Sequence, residues 1–129
     1  MAASLVGQHQ AVRDRFLEAQ KTAFMPHGVV AEGRDMGTVV FPDAPVKFFV
    51  DARLDVRAQR RFIQLQGSAQ GAPLDVVTSL LAERDKRDAS RPIAPMKAAE
   101  GAITIDNSDA PLDETVSRMF ALVQERLKR

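Results

Sequence analysis

The chain has 129 residues, enough for one domain with its own core. Its 18 basic and 17 acidic residues leave a net charge of +1, so no global field draws it to nucleic acid or an anionic membrane. The absence of cysteine removes disulfides and thiolate metal sites, and no run approaches the roughly 20 apolar residues of a membrane span.

The first residues, MAASLVGQHQ, lack the basic and apolar regions of a secretory signal, so a cytoplasmic protein is expected. From Gln8 to Phe24 the spacing predicts a helix, with Val12, Phe16, Ala19 and Ala23 on one stripe and Arg13 and Lys21 off it. Pro26, His27 and Gly28 end that helix; His27 reads as a solvated turn residue, and His9 has no partner in sequence. Val29–Ala31 and Val46–Val50 are β-branched or aromatic runs bounded by turn residues, and read as short buried strands. Gly33, Arg34 and Asp35 follow the first run. Ligands of open α/β sheets bind beyond the carboxyl ends of strands, where Arg34 offers a planar cationic fork and Asp35 an acceptor pair. The same two residues also suit a surface turn with a local ion pair.

Met36–Phe41 reads as a short extended piece, and Pro42 and Pro45 bracket the next turn. Leu54–Gln66 returns to helical spacing, with Leu54, Ala58, Phe62 and Leu65 inward and Arg57, Arg60, Arg61 and Gln64 opposite. That arginine stripe is either a solvated face or, so soon after a strand, a set of groups within reach of phosphates. The stretch GSAQGAP reads as a loop or hinge, and Val77, Leu80 and Leu81 mark the inward side of a further helix. This helix runs into ERDKRDASR, where Arg84, Arg87, Asp88 and Arg91 fall at i, i+3, i+4 and i+7. Such a face is an exposed lattice of ion pairs or an oxyanion clamp, in which the acid orients the arginines and bonds a sugar hydroxyl. Pro92 and Pro95 stop the helix, Ala102–Ile105 reads as a third strand, and Pro111 opens a last helix. There Leu112, Val116, Met119, Phe120, Val123 and Leu127 repeat at helical spacing. Strand–helix alternation indicates an α/β fold with a parallel sheet.

Four stretches, AEGRDMGTVVFPDAPVKFFVDA, RAQRRFIQLQ, LLAERDKRDASRPIAP and AITIDNS, closely resemble the C-terminal part of bacterial cytidylate kinase, in one register from about Ala2 onward. The family transfers the γ-phosphoryl group of ATP to CMP or dCMP, with magnesium between the phosphates. The resemblance implies that Arg34 holds the CMP phosphate, that Asp35 reads the cytosine amino edge and that Arg13 also faces the base. It implies that Ser4, Arg84 and Asp88 contact sugar and phosphate, that Arg91 closes on base or phosphate from a mobile lid, and that Arg57 and Arg61 approach ATP. Arg34, Arg84 and Arg91 are thereby the expected catalytic arginines. Glu32 stands where the family commonly has aspartate.

The phosphate-cradling GxSGxGK pattern of the family is not in this sequence. The implied fold is therefore an incomplete P-loop nucleoside monophosphate kinase: about three parallel strands flanked by helices, without the central P-loop strand. It would be a single truncated domain over residues 1–129, with a lid segment at about 66–95. The family places the missing strand between those expected at Val29–Ala31 and Val46–Val50, which would leave backbone groups unpaired and apolar helix surface exposed. A chain of this kind is expected to fold poorly and to be inactive alone. By family it acts as a monomer on CMP or dCMP and ATP, without nucleic acid or membrane partners. A non-catalytic CMP-binding module, or half of a split kinase needing an N-terminal partner, is the alternative.

Overall fold

In the computed structural model, which describes residues 9–22, 28–66 and 71–128, seven elements follow one another. They are α1 (Gln10–Thr22), a π-helical turn (Met36–Val40), β1 (Phe48–Asp51), α2 (Leu54–Leu65), α3 (Leu74–Ala89), β2 (Ile103–Asp106) and α4 (Leu112–Leu127). β1 and β2 form a two-stranded parallel sheet, with Phe48 paired to Ile103 and Asp51 to Asp106. Parallel pairing needs a long crossover, and here α2 and α3, packed against each other, provide it. No described helix is long and apolar enough to cross a membrane.

Two of the expected strands form, each slightly later in the chain than the apolar runs suggested. The third does not. Val29–Ala31 is irregular, and Val30 is fully exposed. β-branched residues favour a strand only where a neighbouring strand pairs with it, and no described strand lies beside this segment. Met36–Phe41 also differs from the extended piece expected. The Asp35 carbonyl accepts from the N–H groups of Thr38, Val39 and Val40, at 2.9 to 3.3 Å, which winds the chain into a π-helical turn. Gly37 makes that turn possible in place: a Cβ there would stand 3.2 Å from Ala99 and 3.3 Å from Lys47.

The core is small. Val40, Ala52, Ala58, Val77 and Ile105 are buried, drawn from the π-helical turn, the β1–α2 junction, α2, α3 and β2. Ile105 is the largest apolar side chain fully enclosed, and burial of that size contributes about 2 to 3 kcal/mol. The stripe of α4 is only partly covered: Leu112, Val116, Phe120 and Leu127 are exposed, and Met119 and Val123 half-buried. α1 likewise has no buried residue, and Phe16 is exposed.

Polar contacts tie the carboxyl ends of the two strands together. The buried Ser108 hydroxyl accepts from the Arg53 N–H at 2.8 Å and donates to Asp106 Oδ1 at 2.5 Å. Arg53 grips Asp109 with both terminal nitrogens, at 2.8 and 2.7 Å, and Arg60 donates to the Asn107 carbonyl and side chain. These contacts hold Asp109, through the Arg53 hydrogen bond, and Asp106, through Ser108, below the ordinary carboxyl value of 3.8. A carboxyl lowered in the folded state stabilises the fold above its ordinary pKa, and that contribution is lost as pH falls through the lowered value. Thermal melts across pH 5 to about 2 should therefore show stability falling below 3.8. Asp109→Asn should flatten that fall; an unchanged pH profile in the variant would exclude Asp109 from it.

Candidate functional site

Asp88 lies on the last turn of α3 and is only 2% exposed, so its charge needs partners inside the fold. Three arginines supply them. Arg34 Nε meets Oδ2, Arg91 Nη2 lies 2.6 Å from Oδ1, and Arg84 Nε stands 3.8 Å from Oδ2. Arg91 thus faces Oδ1, itself a buried atom, as an ion pair. Among these four side chains the arginines outnumber the carboxylate by two, a local cationic excess.

Helical spacing explains half of this arrangement, since Arg84 precedes Asp88 by one turn. The rest depends on chain reversal after α3. The Met96 N–H bonds the Asp88 carbonyl at 2.8 Å, folding the Pro92–Pro95 segment back so that Arg91 reaches the acid. Ala94, inside that segment, has a left-handed backbone (φ 50°), a conformation that costs an alanine about 1 kcal/mol.

Next to this cluster, Arg13 of α1 bonds Asp35 directly. Because Asp35 follows Arg34 in the chain, the two ion-pair sets are joined by a single peptide bond. A cleft of about 300 Å³ opens here, with Arg13 and Asp35 at its polar part and Val12, Phe16, Val39 and Ile93 among its apolar walls. A slot with apolar walls and paired donor and acceptor groups suits a flat, polar-edged ring. A larger, more open groove of about 730 Å³ passes Leu54, Gln59, Leu74 and Thr78, and contains no member of either cluster.

Of the residues singled out from sequence, Arg34, Arg84, Asp88 and Arg91 come together, and Arg13 and Asp35 stand beside them. Arg57 and Arg61 are elsewhere. Arg57 pairs with Asp85 and the Ala52 carbonyl, and Arg61 lies along α2 against Gln64. Arg87 is exposed, and Ser4 lies outside the described residues, as do 23–27 and 67–70 of the expected turn and hinge. Sequence reasoning missed the role of Ile93 and Phe16 as cleft walls. The prolines flanking Ile93 read as a helix stop and a hinge, which says nothing of what the segment covers.

Removing the acid would leave cationic groups facing one another with no counter-charge. Asp88→Ala is expected to lower unfolding stability by about 3 kcal/mol in a urea titration, and Asp88→Asn by less. A wild-type midpoint for Asp88→Ala would show that the arginines do not depend on it.

The family model described as cytidylate kinase matches residues 1–125. The cytidylate kinase of Pectobacterium atrosepticum is 44% identical over 125 residues, covering 97% of this chain and 56% of that protein. That of Methylococcus capsulatus is 46% identical over 122 residues, 95% of this chain and 55% of the relative. A third, from Pseudomonas fluorescens, is 43% identical over 124 residues. The chain thus spans little more than half the length of the curated relatives it matches. With a match over nearly its whole length, it belongs to the cytidylate kinase family.

Proposed function

We propose that this chain carries the acceptor-nucleotide site of a cytidylate kinase, which transfers the γ-phosphoryl group of ATP to CMP or dCMP, giving CDP or dCDP and ADP. One observation carries the reading: Arg34, Arg84 and Arg91 converge on a single buried acid, leaving a local cationic excess. A nucleoside monophosphate brings a phosphate of nearly two negative charges at neutral pH, which that excess can neutralise.

In this reading Arg34 and Arg91 bind the phosphate, and Arg84 and Asp88 hold the sugar–phosphate end. Asp88 accepts a ribose hydroxyl, an assignment made by resemblance. The Arg13–Asp35 pair takes the cytosine edge, with Asp35 accepting from the amino group. Ser4 is assigned to the sugar by resemblance alone. Phosphoryl transfer asks little covalent chemistry of a protein, so the task of these groups is to position the acceptor oxygen and neutralise charge. With the lid segment of about 66–95 docked over the nucleotide, water is excluded and those charge contacts strengthen.

The donor side is weaker in this chain. Arg57 and Arg61 are the residues assigned to ATP, and Arg57 would have to share its guanidinium with Asp85. Among the described residues no three His, Cys, Asp or Glu side chains group together. The chain alone is accordingly proposed to bind CMP without appreciable kinase activity. A second reading, a split kinase half completed by an N-terminal partner, draws support from the exposed apolar side chains Leu112, Val116, Phe120 and Leu127 of α4.

Calorimetric titration tests the proposal. CMP should bind the chain at least about tenfold more tightly than cytidine, and Arg34→Ala should abolish that difference. Asp35→Ala should weaken both ligands alike. No heat from CMP with the wild-type chain would overturn the acceptor-site reading.

A further inference from the structure

α3 carries two acids on one face, Asp85 and Asp88, three residues apart. Asp88 belongs to the cluster described above. Asp85 belongs to nothing so far assigned, yet its Oδ2 lies 2.7 Å from Arg57 Nη1 of α2, with both side chains about two-thirds buried. Arg57 is itself anchored, because its Nε donates to the Ala52 carbonyl at 2.7 Å, at the buried junction between β1 and α2. The guanidinium is therefore a fixed bracket on the strand end, and Asp85 is the group by which α3 docks on it.

The other inward side chains of the two helices are apolar: Ala58 on α2 and Val77 on α3 are buried, Phe62, Leu65 and Leu81 half-buried, while Val76 and Leu80 of α3 are exposed. Apolar contact is non-directional, so by itself it sets a helix's rotation less strictly. A charge-assisted hydrogen bond to an anchored arginine does not. Because Asp85 and Asp88 share a face, a rotation fixed at Asp85 is also fixed at Asp88 and at the neighbouring Arg84.

We infer that Asp85 is a positioning residue: docked on Arg57, it sets the orientation of the C-terminal half of α3 and so places Arg84 and Asp88 for the phosphate end of a nucleotide. The nucleotide part of this inference rests on the acceptor-site reading; the helix-orientation part stands independently. Isolated exposed ion pairs contribute little, and this one differs in being half-buried and anchored at its far side.

Two readouts on the full chain decide it: amide hydrogen exchange over 84–90, and calorimetry with CMP and cytidine. Asp85→Ala should speed exchange in that segment about tenfold while α1 and β2 keep wild-type rates. It should also weaken CMP about tenfold and cytidine clearly less, since cytidine loses only the Asp88–ribose contact while Arg13 and Asp35 sit on other elements. Asp85→Glu should recover most of both effects and Asp85→Asn little of either. Unchanged exchange in Asp85→Ala would overturn the inference, as would equal loss of CMP and cytidine or acceleration throughout the chain. If Asp85→Ala does not fold, Asp85→Asn against Asp85→Glu makes the same comparison. Should wild type fail to bind CMP, the acceptor-site reading falls, and the exchange data still decide whether Asp85 orients α3.

Discussion

A carboxylate that is almost wholly removed from water constrains everything around it. Asp88 can stay ionised inside the fold only with cations close by, and the chain brings Arg34, Arg84 and Arg91 to it from different distances in sequence. Arg84 arrives by helical spacing, Arg91 by the reversal after α3, and Arg34 from a segment more than fifty residues earlier. Meeting that one requirement ties the Gly33–Asp35 bend to α3. Through the next residue, Asp35, it also ties α1 to the same place.

The division of labour follows from which elements carry which groups. Arg34 and Asp35 sit on the bend, Arg84 and Asp88 on α3, Arg91 just beyond it, and Arg13 on α1. The strand-end contacts of Arg53, Arg60, Ser108 and Asp109 serve another purpose, holding the two strands and α2 in register below the site. Arg57 lies between these layers, bonded to the strand end on one side and to α3 on the other. The open faces of α1 and α4 mark the limits of what this polypeptide encloses by itself.

Local signals were read correctly where local chemistry decides structure. The helices, two strands and the convergence of Arg84 with Asp88 follow from period and spacing. The Val29–Ala31 strand failed because a strand depends on its neighbour, which period-based reasoning cannot supply. The π-helical turn was hidden because its cause is one carbonyl accepting three donors, a matter of backbone geometry with no side-chain pattern. The apolar stripe of α4 was legible as a stripe, but its exposure was not, since burial depends on what else is present to cover it. Spacing left Arg34 and Asp35 open between a ligand pair and a surface turn, and the structure shows each in an ion pair, Arg34 with Asp88 and Asp35 with Arg13.

The central claim is that one buried acid organises an acceptor-nucleotide site. A crystal structure of the chain with CMP bound tests it most directly. The phosphate should lie within hydrogen-bond distance of both Arg34 and Arg91, a ribose hydroxyl against Asp88, and the cytosine edge against Arg13 and Asp35. A nucleotide seated in the groove between α2 and α3, or reversed so that its base meets Asp88, would contradict it.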